Sequence, residues 1–233
     1  LATGVTEATV TALLAGTAGL AFDGGASTGT LTLGATNQVN SYTGSTSISS
    51  GTLRVTSLTS LGASGAGNGT VVNSGGALRI GIGGTIATEL LTLNGNGVSS
   101  GGALVLDSNL ASTWSGAITI AAGGATVNVG SGATFTQGTA QMVMTGNLTK
   151  TGAGIFALTA LRTTGTGTLA VNAGTFRIAS SGTTVGWDSG SITVGSGGTL
   201  QTTGSGTNSI INTASTITVN SGGALDWQQT GAE

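Results

Sequence analysis

Val72-Asn73-Ser74-Gly75-Gly76-Ala77-Leu78 returns 26 residues later as Val98-Ser99-Ser100-Gly101-Gly102-Ala103-Leu104. The same form, an aliphatic residue, small polar residues, one or two glycines and a large apolar residue, reads at Ile48–Leu53, Ile120–Thr126, Val171–Phe176, Val194–Leu200 and Val219–Leu225. The closing residues of successive copies stand 25, 26, 22, 50, 24 and 25 apart. The interval of 50 reads as two periods, with a degenerate middle copy near Gly152-Ala153-Gly154-Ile155-Phe156. Projecting back from Leu53 reaches Leu31, so about nine coils of roughly 25 residues fit the chain.

Each copy has the chemistry of a short strand, a bend and a second short strand. Glycine reaches the positive φ angles that such a bend demands. Period-2 alternation in Leu31-Thr32-Leu33, Leu91-Thr92-Leu93, Ile118-Thr119-Ile120, Ile192-Thr193-Val194 and Ile217-Thr218-Val219 puts aliphatics on one side and threonine on the other. One coil cannot bury its apolar side alone, whereas stacked coils pair their strands in parallel and share a continuous interior. The expected fold is all-β, a right-handed parallel β-helix (a β-solenoid) with three short strands and three bends per coil. An antiparallel sandwich has no reason to keep its repeats at a near-constant interval. Residues 1–28 lack the Gly-Gly motif and read as an N-terminal cap or docking segment. Residues 29–233 read as one continuous solenoid.

Composition agrees. There are 45 glycines but 38% hydrophobic and only 5% charged residues, the reverse of a disordered chain. Cysteine is absent, so disulfides and thiolate metal sites are excluded. Five basic and seven acidic residues, net −2, give no electrostatic grip on nucleic acid. No apolar run approaches the ~20 residues of a membrane helix, so no membrane insertion is expected. Ala12–Phe22 is interrupted by Gly16 and Gly19, has no basic residue before it, and does not read as a signal peptide. A start at Leu1 reads as a processed or excised form.

The residues of catalysis are scarce. There is no histidine, one lysine, and seven acids: Glu7, Asp23, Glu89, Asp107, Asp188, Asp226 and Glu233. Glycan cleavage needs paired carboxylates on one face. Of the five interior acids, Glu89 and Asp188, 99 residues apart, share a phase, and they fall about four coils from each other. No enzyme, cofactor or metal site is expected. Arg54, Arg79 and Arg177 directly follow the inward residue of a copy, and Gln201 and Asp226 hold the same place later, which reads as one exposed solubilising column. Asn73, Asn172 and Asn220 sit at bends and read as structural.

Gly146-Asn147-Leu148-Thr149-Lys150-Thr151-Gly152-Ala153-Gly154-Ile155-Phe156-Ala157-Leu158 resembles the passenger repeats of bacterial autotransporters, with their Leu-Thr-Lys-x-Gly-x-Gly-x-x-x-Leu core. Asn40–Val55, with its Tyr42-Thr43-Gly44 and Gly51-Thr52-Leu53 elements, and Val171–Ile178 resemble the same family. The resemblance implies a secreted, surface-exposed β-helix of a bacterium with an outer membrane, serving as a stalk or adhesive fibre. The Lys-Thr-Gly element appears once, and at 3% aromatics no stretch has the girdles of a membrane barrel.

Three functional readings follow. The first is a structural solenoid that self-associates head to tail into a filament, or forms a stalk. The last motif closes with Leu225-Asp226-Trp227 six residues before Glu233, leaving little material for a cap. Near the other end, Val5, Val10, Leu13, Leu14, Leu20 and Phe22 either cap the first coil or dock onto the last coil of the next subunit. The expected interface is Val10, Leu13, Leu14, Leu20, Phe22, Leu225 and Trp227. The alternative is an adhesin that contacts a glycan or host surface through Tyr42, Trp114, Trp187 and Trp227, unless these aromatics pack on the coil. A lesser alternative is ice binding by outward threonines. Thr30/Thr32 and Thr216/Thr218 have the Thr-x-Thr form, but Ala117/Thr119 and Ser191/Thr193 interrupt it.

Overall fold

Glycine corners and three- to five-residue strands carry the chain past the same three faces repeatedly. The computed structural model describes residues 6–25, 28–34, 39–159, 163–181, 186–205, 211 and 215–229. The first face holds β2 (Leu20–Asp23), the opening of β4 (Thr46–Val55), β5 (Thr70–Val72), β8 (Leu91–Gly95), the opening of β11 (Ile118–Val129), β13 (Met142–Met144) and β16 (Thr164–Gly165). The second holds β1 (Glu7–Val10), β3 (Thr30–Leu33), the close of β4, β6 (Gly76–Ile80), β9 (Leu104–Leu106), the close of β11, β14 (Leu148–Thr151), β17 (Leu169–Val171), β19 (Ile192–Val194) and β21 (Ile217–Val219). The third holds β7 (Gly84–Ile86), β10 (Ala111–Trp114), β12 (Thr134–Gln137), β15 (Ile155–Leu158), β18 (Gly174–Ser181), β20 (Gly198–Ser205) and β22 (Ala224–Gln229).

The two long strands β4 and β11 run through a corner and join the first two faces into one 15-stranded sheet, while the third face is a 7-stranded sheet. The ladders are parallel, from β1 on β3 to β20 on β22. The fold is therefore the parallel β-solenoid expected, with about eight turns where even spacing implied nine. The turns are uneven because strand register, not loop length, sets the stack. Phe135, Phe156 and Phe176 are neighbours at intervals of 21 and 20 residues, while Leu93 and Ile120 are neighbours at 27. Residues 1–28 contribute β1 and β2 to the same sheet.

Inward side chains form columns along the axis. On the first face Phe22, Ile48, Val72, Leu93, Ile120 and Met144 stack in register. On the second, Leu53, Leu78, Leu104 and Val127 lead to Lys150, Val171 and Val194. On the third, the rings of Phe135 and Phe156 meet edge to face at 5.2 Å, those of Phe156 and Phe176 lie tilted at 5.0 Å, and Phe176 meets Trp187 edge to face at 6.0 Å. Burying one such side chain contributes about 1.5–3 kcal/mol, and each ring pair about 0.5–1.5 kcal/mol more.

One motif serves two different corners. Copies from Ile48 to Thr126 turn the chain from the first face to the second, and copies from Val171 to Leu225 turn it from the second to the third. Both corners require the Gly-Gly pair for the same reasons. Gly75 has φ 96° and Gly197 φ 83°. A Cβ on Gly76 would lie 2.5 Å from the Ile48 carbonyl oxygen, and one on Gly198 2.0 Å from that of Val171. The interval of 50 residues thus hides a change of face as well as two turns. Two expectations are corrected as a result. Arg54 and Arg79 are neighbours on the second face, but Arg177, Gln201 and Asp226 form a separate column on the third. Thr30 and Thr32 meet Thr52 and Arg54 on the second face, whereas Thr119 lies on the first between Thr92 and Val143, so these threonines build no common ladder.

Candidate interface at the ends of the solenoid

The last described rung is built from core positions that no described residue covers. Val219 continues the column of Val171 and Val194, Leu225 that of Phe176 and Leu200, and Trp227 that of Ile178 and Thr202. Val194 and Leu200 are 0% and 1% exposed, yet Val219, Leu225 and Trp227 are 42%, 49% and 59% exposed. Alternation points all three inward, and burial of an inward residue requires a rung on each side. Among the described residues β21 pairs with β19 alone and β22 with β20 alone. Their outer edges have no strand partner among the described residues, and such an edge is a template for another parallel strand. The outward column beside them is tied along the axis. Arg177 donates to Gln201 Oε1, Gln201 Nε2 donates to Asp226 Oδ2 at 2.6 Å, and Gln228 Nε2 donates to the same oxygen at 2.8 Å.

The opposite end is partly closed by its own chain. Val10, Leu14 and Leu20 are half-buried against the core and Phe22 is buried, so these four serve the first turns. Leu13 remains 68% exposed. It lies on the connection from second-face β1 to first-face β2, which takes the third side of the first turn. There the Leu14 amide donates to Asn40 Oδ1 at 3.0 Å and the Ser41 amide donates to the Leu14 carbonyl at 2.8 Å. Of the seven residues expected to form an interface, Leu13 near one end of the third side and Leu225 and Trp227 near the other are open. Val5 lies outside the described residues.

The aromatics expected as adhesive contacts are mostly interior. Trp114 and Trp187 are fully buried and Tyr42 is 3% exposed, leaving only Trp227 of the four at the surface. Their polar atoms are satisfied within the fold. Trp114 Nε1 donates to the Glu89 carbonyl at 2.6 Å, Trp187 Nε1 donates to the Gly190 carbonyl at 2.6 Å, and the Tyr42 hydroxyl bonds Thr46 Oγ1 at 2.6 Å.

The acids that share a phase do not meet. Glu89 precedes β8, and Asp188 follows Trp187 four turns further on, about 19 Å away at the parallel-strand spacing. Glu89 is buried, and Thr70 Oγ1 donates to its Oε1 at 2.7 Å. Desolvation, opposed by that hydrogen bond, pushes its carboxyl up to about 7.

Two constellations escaped the sequence reading. Asp107, just after β9, receives Arg54 Nη2 at 3.0 Å and Arg79 Nε at 2.6 Å, which clamps successive second-face rungs. Lys150 is fully buried in the second-face column between Val127 and Val171. Its Nζ donates to the carbonyls of Thr151 at 2.8 Å, Gly152 at 2.8 Å and Ala173 at 3.0 Å. Desolvation brings its ammonium down to about 8. The alternation Leu148-Thr149-Lys150 carries this signal, because it places Lys150 on the same side as Leu148.

The family model of the passenger-associated-transport-repeat matches residues 26–55, 98–129 and 148–178. The chain is a parallel β-solenoid that carries three stretches similar to this repeat. The first and third matches enclose the stretches Asn40–Val55, Leu148–Leu158 and Val171–Ile178, on which the resemblance was read. The second lies on the motif copies at Val98–Leu104 and Ile120–Thr126. No curated protein and no solved structure matches the chain. The passenger repeat at 148–178 spans β14 to β18 and contains both Lys150 and the Ala173 carbonyl it reaches, so the buried ammonium ties one turn of that repeat to the next.

Proposed function

We propose that this passenger-repeat solenoid is a non-catalytic structural segment of a secreted or cell-surface fibre, and that it grows by stacking coil on coil, end to end, with a second copy of the chain. The observation that carries this reading is the last described rung, where Val219, Leu225 and Trp227 hold inward positions that no described residue covers. The passenger repeat, a repeat of exported proteins, supports the compartment.

Stacking a second copy head to tail continues the existing geometry. Its β1 adds to β21 as a parallel strand, bringing Ala8 over the column that ends at Val219. Its exposed Leu13 comes over Leu225 and Trp227 on the third side. Such a heterologous contact does not close on itself, so it propagates as a filament. Trp227 is the natural anchor, since a buried tryptophan contributes the large apolar area typical of interface hot spots.

Sedimentation velocity on the chain and on Trp227→Glu tests the reading. Elongated species that grow with concentration and disappear in Trp227→Glu are expected. A chain that remains a monomer at every concentration would overturn it.

A further inference from the structure

We propose that the edge of β7 turned away from β10 docks a short extended peptide of a partner protein, uncharged and aliphatic where it enters the solenoid. Among the described residues the third-face ladder starts at β7, which pairs with β10 alone. The preceding rung on that side, residues 57–64, turns through Leu58–Leu61 and contains no strand. Between the two lies a cleft of about 380 Å³, with Leu58 and Leu61 on one wall and Thr85 and Ile86 on the other. Its ends are pinned. A Cβ on Gly84 would lie 2.9 Å from Leu58 Cδ1, so that leucine packs over the start of β7. Past the close of β7, Thr88 Oγ1 lies 2.7 Å from Ser64 Oγ.

The ladder places the backbone that faces this cleft. The Ile86 carbonyl accepts from the Ser115 amide at 3.0 Å, on the β10 side. Successive residues of a strand turn their amide and carbonyl to opposite edges, so both groups of Thr85 point away from β10, toward residues 58–64. Thr85 is exposed and lines the cleft. No described residue hydrogen-bonds its amide or its carbonyl. The rung opposite bonds backward instead, with the Asn40 amide donating to the Thr59 carbonyl at 3.1 Å and the Ala63 amide to the Tyr42 carbonyl at 2.9 Å. A donor and an acceptor side by side on one residue are matched by one residue of an extended chain, which exchanges both bonds in an antiparallel pair. This pairing names the occupant as polypeptide, because main-chain bonds give the affinity of an added strand and side-chain pockets its specificity.

The side chains of the occupant follow from alternation. The residue opposite Thr85 points outward with it, and its two neighbours point inward beside Ile86, toward Leu58 and Leu61. Glu89 is the one charged residue of the lining, and it is 2% exposed with its Oε1 bonded by Thr70. The cleft thus offers no partner to an entering charge, which would lose its hydration uncompensated. The inward neighbours are therefore aliphatic. The edge is three residues long, which sets the length of the paired segment. This site lies within the stack and does not depend on stacking at the ends.

Hydrogen exchange of the full chain, read by mass spectrometry with fragmentation, tests the proposal. The probes are N-acetyl-Val-Thr-Val-amide, the same peptide methylated on its backbone nitrogens, and N-acetyl-Asp-Thr-Asp-amide. With the first, exchange of the Thr85 amide is expected to slow saturably, by at least tenfold, while that of Thr136 inside the ladder stays unchanged. The other two peptides should bind at least tenfold more weakly. Thr85→Val keeps both backbone groups and should keep the effect. Unchanged exchange at Thr85, equal protection by either control peptide, or loss of the effect in a folded Thr85→Val would each overturn the proposal.

Discussion

Phe176 and Leu225 occupy the same inward column of the third face, two rungs apart, each closing a copy of the same motif. Phe176 is fully buried, touching Phe156 on one side and Trp187 nearby, while Leu225 is half open. Nothing in the local sequence separates them. Burial in a solenoid comes from the neighbouring rungs, so an identical coil is core in the middle and open at the last described rung. The middle of this molecule therefore carries its stability, and the last described rung is where we propose that it associates.

The sharpest way to break that contrast is to truncate one residue in each region. Phe156→Ala removes the central ring of the stack and is expected to cost about 3–5 kcal/mol, measured by chemical denaturation. Leu225→Ala is expected to change monomer stability by less than about 1 kcal/mol while weakening association. Equal costs at both positions would mean that the last rung is already covered. Lys150→Ala is expected to cost about 2–4 kcal/mol, because it opens a cavity in the second-face column and strips the donor from three carbonyls. The same truncation on an exposed lysine would be almost neutral.

A smaller effect comes from Glu89, and its sign is set by the raised folded-state value. The unfolded carboxyl ionises near 4.5 and the folded one near 7. Stability is then greatest below pH 4.5, falls as pH rises to about 7, and is level above that, by at most about 3 kcal/mol in all. Glu89→Gln should flatten this profile and be the more stable protein at pH 8, as read from denaturation midpoints across that range. The smallest effect is expected at the surface clamp. Asp107→Asn leaves Arg54 and Arg79 side by side without their shared acid, yet both arginines are well solvated, so a loss below about 1 kcal/mol is expected, shrinking further in high salt.

The fold was legible because its signal is a period. Val72–Leu78 and Val98–Leu104 have one spacing and one chemistry, and Gly76 has no room for a Cβ against the preceding coil. What the period conceals is which of the three corners a copy turns, since each corner is a strand, a bend and a strand. For that reason Arg177 was grouped with Arg54 and Arg79, and Thr119 with Thr30 and Thr32. The open end was legible at Leu225 and Trp227, whose inward phase follows from alternation. At the other end an apolar residue can cap or dock, and only the folded chain separates exposed Leu13 from buried Phe22. Lys150 and the Asp107 clamp were the hardest to see. One is a charge on an apolar side, and the other joins Arg54, Arg79 and Asp107 from different turns of the chain.

The most direct test of end-to-end stacking is cryo-electron microscopy of the concentrated chain. It should reveal filaments in which the parallel-strand spacing of about 4.8 Å runs unbroken through each junction, with density for Trp227 enclosed by the next copy. Dispersed single solenoids with a solvent-exposed Trp227 would contradict it.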